Sequence, residues 1–212
     1  MFEKNVAELR AAGAVVIDPI VIPDLKALLA RRAANPILSD AALRHYLGRN
    51  PSSPIKTRQD IANSPDLDRS IPPTKAEQWR VPPAPMDAAK YGEYLQARDE
   101  LMINILKVMA DNRLDAIVHK TVEHQPTRIK DGMNPPYMNN KGVPTLNTFL
   151  AYAASLTVPS GFTSDNLPVG ITFFGRPYSE PTPLKLAYAY EQATHHRRPP
   201  KSTPVLTRAA PN

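Results

Sequence analysis

Twenty-four prolines against eight glycines set the tightest limit on what these 212 residues can build. A proline holds φ near about −65° and removes a backbone donor, so it is kept out of helix interiors and central strands. The prolines cluster. Pro51, Pro54, Pro65, Pro72, Pro73, Pro82, Pro83 and Pro85 crowd the stretch 50–85, where no apolar period is visible. That stretch reads as an irregular insertion, a flap or surface excursion too long for a plain connector inside a compact domain.

Regular elements fall on either side of it. Phe2, Val6 and Leu9 recur at helical spacing, and Gly13 suits the residue after a helix, so 2–12 reads as a helix. Residues 14–17 (AVVI) read as a buried strand broken by Pro19. Two short helices are expected at 24–33 and 39–47, the second capped by Ser39 and stopped by Gly48. Residues 87–111 form the best helical pattern, with Tyr91, Leu95, Met102, Ile105 and Met109 on one stripe.

A buried strand at 114–118 follows, then a polar loop at 134–142 and a helix at 147–155. Two neighbouring strands are expected at 156–158 and in VGITFFG. A last helix has Thr182 at its cap, Pro183 in its first turn, and Leu186, Tyr190 and Ala193 on its inner face. Strands alternating with helices make the class α/β.

Composition narrows the setting. A hydrophobic share of 42% is that of a folded chain. The absence of cysteine removes disulfides and thiolate metal sites and fits a reducing compartment. No apolar run approaches the ~20 residues that cross a bilayer, and the start MFEKNVAELR has no apolar signal core. A soluble, cytoplasmic protein is expected, with no membrane partner. The net charge of +6 is spread among 20 acids without interleaved aromatics, so no nucleic-acid partner is expected. The densest basic run, His195–His196–Arg197–Arg198, ends the last helix, where cations complement the dipole.

No self-contained active site is legible. His119 and His124 flank Glu123 in HKTVEH, a spacing that matches no standard zinc motif. GxSxG, P-loop and GxGxxG patterns are absent from the sequence. Ser160 has no activating base beside it, and Asp115 reads as a strand-start residue. No cofactor and no metal are expected.

The C-terminal quarter resembles the signature of the amidase signature family. Thr157–Pro159 with Gly161 stand for its "TVP-G" strand, and Leu167–Gly170 with Phe173 and Gly175–Pro177 for "LPVG-F-GRP". Leu186–Thr194 stand for its "LAYAYEQAT" helix, and Arg198 with Pro199 for the "R-P" exit. Upstream, AGAVVID resembles the segment that follows the catalytic region, and NRLDAIV resembles a family strand, with His119–Lys120–Thr121 where Pro-Thr is common.

The resemblance implies the C-terminal part of the amidase-signature fold, a mixed central sheet flanked by helices. It makes 1–212 a partial amidase domain with the Pro-rich insertion at about 50–85. It also implies hydrolysis of linear carbon–nitrogen amide bonds through an acyl-enzyme, made by a Ser–cis-Ser–Lys triad in a Gly/Ser-rich region. No GSSGG-like segment occurs in these residues, so no catalytic residue is carried over, and a truncated piece, inactive alone, is expected. The polar loop after the strand supplies the candidates for a substrate pocket: Glu123, His124, Asn134, Tyr137, Asn140 and Asn147. The partners implied are a small-molecule amide, bound only with the missing half, and either a separate N-terminal half or a second copy. A non-catalytic binding or assembly subunit is the alternative.

Overall fold

A computed structural model describes residues 2–31, 36–82, 87–138 and 152–200 of the chain. In chain order these residues form α1 (Phe2–Ala11), α2 (Leu25–Ala30), α3 (Pro36–Gly48), α4 (Arg58–Ala62), α5 (Leu67–Ser70), α6 (Pro73–Arg80) and α7 (Ala88–Asp111). Then follow β1 (Ile117–Lys120), α8 (Ile129–Met133), β2 (Ser155–Phe162), β3 (Pro168–Phe174) and α9 (Pro181–Thr194). The described elements fall into two compact units. The first lies within Met1–Ile20, Met109–Val122 and Tyr152–Asn212, and the second within Val21–Val108 and Glu123–Ala151.

The first unit is a sheet covered on one face by helices. Its strands run in the order β1–β3–β2 and both pairings are antiparallel. β3 takes the centre because PVGITFF has its one proline at the first position, leaving ladder donors for both neighbours. Pro159 is tolerated in β2 because β2 pairs on one side only among the described residues. The register sets Val118 and Leu156 on either side of Phe173, and Val158 beside Ile171. That face packs against α1 and α9 around Leu9, Ile171, Phe173, Ala187 and Tyr190.

The opposite face is polar at its centre. Thr172 is buried, and its hydroxyl lies 2.7 Å from that of Thr121 and 3.0 Å from that of Thr157. Gly170 makes this closeness possible, since a Cβ there would sit 2.8 Å from Thr157 Cγ2 and 2.9 Å from Thr121 Oγ1. Between Pro159 and Gly161 the β2 register slips, leaving Ser160 as an extra residue in a bulge, with Gly161 at φ 128°.

The signature residues around the sheet are structural. Arg176 donates from Nη2 to the Leu114 carbonyl at 2.9 Å, and the Gly175 amide donates to the Ala154 carbonyl at 2.7 Å. Arg198 places its guanidinium 3.5 Å from the Phe162 ring centroid and donates to Asn166 Oδ1 at 3.2 Å. His195 closes α9 in the left-handed region.

In the second unit α7 is the backbone of the packing, burying Ala97, Leu101, Met102, Ile105 and Val108 along one stripe. Asn104 donates to the Pro23 carbonyl at 3.1 Å, and Arg31 pairs with Glu100 at 3.6 Å, which holds the α2 segment along α7. Arg58 carries its guanidinium 4.7 Å from the Trp79 ring centroid and lies 3.9 Å from the buried Asp40.

The class is α/β, as the alternation of elements indicates, and several boundaries differ from the sequence expectation. Residues 14–17 are not a buried strand: they carry no regular structure, Val15 is 93% exposed, and Val16 is the one that packs on the core. None of the described strands pairs with that segment, and an unpaired apolar stretch has no ladder to join. β1 begins at Ile117 rather than Leu114, so His119 and Lys120 lie inside the strand, and the Thr121 amide extends the ladder to the Gly170 carbonyl at 3.1 Å.

β2 is longer than expected and takes in Ser155, which the sequence pattern places in a helix; residues 147–151 of that helix lie outside the described set. The stretch 50–85 is not irregular throughout, because α4, α5 and α6 occupy it. Proline starts helices as well as stopping them, and Pro73 opens α6, while Thr57 and Asp60 form a capping box on α4. For the same reason α3 begins at Pro36, which puts Ser39 inside it. α9 begins at Pro181, one residue before the expected cap Thr182, and its inner face is Pro183, Ala187 and Tyr190; Leu186 is half-buried and Ala193 exposed. The small Ala187 lets the helix lie close on the sheet, which moves the buried stripe by one position.

Candidate functional site

Beyond β1 the chain enters the second unit as a polar loop and makes the short α8. Asn134 ends that helix, donating from its amide and its side-chain nitrogen to the Lys130 carbonyl at 3.2 and 2.7 Å. The Tyr137 amide then donates to the Asn134 carbonyl at 2.8 Å and the Met138 amide to the Asp131 carbonyl at 2.9 Å. These bonds fold Tyr137 back against α8, with its backbone at φ 54°.

There Tyr137 lines a cavity of about 480 Å³ shared with the α5–α6 junction. The volume falls within the roughly 300–1,000 Å³ of small-molecule sites. Lys75 and Arg128 are its cations. Ser70, Thr127 and Tyr137 bring hydroxyls, and Ile129, Met133 and Met138 bring apolar surface. Among the described residues, no aspartate, glutamate or histidine lines it. Such a lining can bind and orient a small molecule, but it holds no base to activate a nucleophile.

The structure separates the residues singled out in the sequence. Tyr137 lines the cavity. Glu123 and His124 are exposed and are not part of its lining, and His124 Nδ1 lies 3.2 Å from the Gln125 carbonyl. Asn134 is a helix cap. Asn140 and Asn147 lie outside the described residues. Lys75 and Arg128 were missed by sequence reasoning: the whole of α7 and β1 separates them, and neither carries a motif, so folding alone brings them to one cavity. Among the described residues, no three His, Asp or Glu side chains gather as a metal site. No helix there is long and apolar enough to cross a membrane.

The first unit holds a second polar cluster. Tyr190, 1% exposed, donates to Glu8 Oε2 at 2.7 Å, and Asn5 Nδ2 donates to the Ser160 carbonyl at 2.9 Å and to the Tyr190 oxygen at 3.1 Å. His196 Nε2 is 3.0 Å from both Glu8 oxygens. Partial burial pushes the Glu8 pKa up, but the bonds from Tyr190, His196 and Asn5 outweigh it and hold the carboxyl at about 2. Burial, then the Glu8 carboxylate, push the Tyr190 hydroxyl well above its ordinary value. Glu8, Asn5, Tyr190 and His196 are each partnered within the cluster, so the arrangement ties α1 to α9. Ser160 is 2% exposed within its bulge.

Comparison with known proteins places this architecture. The family model described as Amidase matches residues 1–184. The Arabidopsis thaliana protein named "Probable amidase" is 28% identical over 214 residues, covering 95% of this chain and 37% of its own length. A glutamyl-tRNA(Gln) amidotransferase subunit from Methanosarcina barkeri is 35% identical over 95 residues, 42% of this chain and 19% of that protein. Among solved structures, the native peptide amidase from Stenotrophomonas maltophilia superposes with a TM-score of 0.63 at 30% identity, over 94% of this chain and 40% of that one. The chain thus spans about two fifths of the length of the relatives it matches end to end. With a family model covering most of its residues and the fold of a solved peptide amidase, the chain belongs to the amidase family.

Proposed function

We propose that this chain serves the hydrolysis of linear carbon–nitrogen amide bonds in the cytoplasm, as scaffold and substrate-side wall, with the nucleophile supplied by residues other than these 212. One observation carries the reading: the family match runs from residue 1 to 184, while the sequence contains no Gly/Ser-rich nucleophile segment. In the acyl-enzyme chemistry that the family resemblance implies, a neutral lysine takes a proton through a bridging serine, and backbone amides hold the oxyanion. The partial amidase domain supplies none of these groups. What it offers is the Tyr137 cavity, which suits the part of a substrate that does not react.

The purified 212-residue chain, given simple amides and esters, is expected to show no turnover above background and no serine labelling by a fluorophosphonate probe. Turnover with a labelled serine in this chain would overturn the reading.

A second reading, that of an assembly partner, has its own support. Val15 and Ile17 are 93% and 44% exposed in an extended stretch, and unpaired apolar segments recruit other chains. One relative is itself named as part of a larger amidotransferase. On this reading the chain pairs with a polypeptide that supplies the nucleophile half, or with a second copy. Size-exclusion chromatography with light scattering checks it: a larger species is expected, and a sharp monomer with cooperative unfolding would exclude it.

A further inference from the structure

The charge of the Tyr137 cavity goes beyond an unspecified amide. Cations elsewhere on the helices of the Pro-rich stretch are paired with acids. Arg80 makes bonds of 2.8 and 2.7 Å to the two Asp68 oxygens, Arg69 pairs with Asp66, and Arg58 approaches Asp40. The two cations of the cavity differ. Lys75 Nζ donates to the neutral Gln78 Oε1 at 3.3 Å, and among the described residues no ion pair involves Lys75 or Arg128. With no carboxylate among the described lining residues, two positive charges face one cavity uncompensated by them. Like charges gathered around a low-dielectric wall raise the local potential and concentrate an anion.

We propose that this cavity binds the carboxylate of an organic acid that also carries an amide and an apolar side chain. Arg128 offers a planar fork matched to a carboxylate and Lys75 a mobile point charge. Tyr137 and Ser70 have hydroxyls for the remaining lone pairs, and Ile129, Met133 and Met138 take the apolar body. This apolar surface favours an organic anion over free phosphate. The inference rests on the substrate-side reading given above and narrows its substrate class to anionic amides.

Binding needs no turnover, so it is tested on the 212-residue chain directly. N-acetyl-L-leucine, its neutral counterpart N-acetyl-L-leucinamide and inorganic phosphate are titrated by calorimetry or ligand-observed NMR. N-acetyl-L-leucine is expected to bind at least about tenfold more tightly than either of the others, a difference of about 1.4 kcal/mol. Lys75→Gln and Arg128→Gln are each expected to weaken it about tenfold, and the pair to abolish the preference for the charged ligand. Both side chains are surface-exposed, and circular dichroism verifies that the variants fold.

Equal binding of the acid and the neutral amide, or binding of the acid that survives both substitutions, would overturn the proposal. So would phosphate binding as tightly as the acid, or no binding of the acid by the folded chain. Serine labelling or hydrolysis by the same chain would instead overturn the proposed function and leave the binding result standing.

Discussion

One polar cluster in each unit meets a different fate. In the first, Glu8, Asn5, Tyr190 and His196 satisfy one another, and Arg176 gives its guanidinium to a backbone carbonyl. In the second, Lys75 and Arg128 face a cavity in which no acid among the described residues meets them. The recognisable signature belongs to the first unit, and its glycines, arginines and tyrosine go into packing the sheet. The cavity proposed above for a ligand lies in the second unit. A family motif can therefore mark the scaffold and say little of the site.

Four kinds of substitution and one titration test that contrast, from the largest expected effect to the smallest. Tyr190→Ala empties the core of the first unit and removes the hydroxyl that donates to Glu8; a loss of about 3–5 kcal/mol is expected in denaturant unfolding. A loss below about 1 kcal/mol would mean that the cluster is not the anchor described.

Ala187→Leu forces a larger side chain between α9 and the sheet and should cost about 1–3 kcal/mol. Gly170→Ala meets Thr157, Thr121 and the Val158 carbonyl and is expected in the same range. If either is neutral, the close approach of helix or strand is wrong.

Acid titration comes next. Glu8 has its folded pKa lowered to about 2 from an ordinary value of 4.5. A lowered pKa means the folded state favours the ionised form, so its contribution is full above the unfolded pKa and is lost as pH falls through the folded one. The thermal midpoint should drop between about pH 4.5 and 2, and Glu8→Gln should flatten that part of the profile. An unchanged slope in the variant would assign the acid sensitivity elsewhere.

Arg176→Gln removes the bond to the Leu114 carbonyl and should cost about 0.5–1.5 kcal/mol. Lys75→Gln and Arg128→Gln should change stability by less than about 0.5 kcal/mol, since neither makes an ion pair among the described residues. A clear destabilisation by the latter two would make the units alike and remove the contrast.

Much of the first unit was legible. The spacing of Phe2, Val6 and Leu9, with Gly13 at φ 91°, marks α1 to within a residue, and the apolar run of β3 is the centre of the sheet. The same periodicity finds α7. Misreadings fell where long-range partners decide. Residues 14–17 are as apolar as any strand here, yet pairing, which no local pattern contains, makes a strand. In the Pro-rich stretch the local signal is in the sequence: Thr57 with Asp60 is a capping box, and Pro72–Pro73 opens a helix. Tyr137, singled out through its loop, lines the cavity. Lys75 and Arg128 were invisible because a shared cavity is a property of the folded chain.

The bulge at Ser160 has a consequence for how this protein tolerates change. Up to Pro159, β2 keeps step with its neighbour so that Leu156 lies beside Phe173 and Val158 beside Ile171; after the slip, Gly161 meets Val169 and Phe162 meets Pro168. The extra residue works like a skipped tooth in a gear: everything beyond it engages one notch late. In plain register, with Ser160 rather than Gly161 opposite Val169, Phe162 would come into step with Leu156 and Val158, and the ring that carries the Arg198 guanidinium would turn to the other side of the sheet. A slip of one residue in the register of β2 would thereby undo the anchorage of the segment after α9, with every other side chain of that anchor intact.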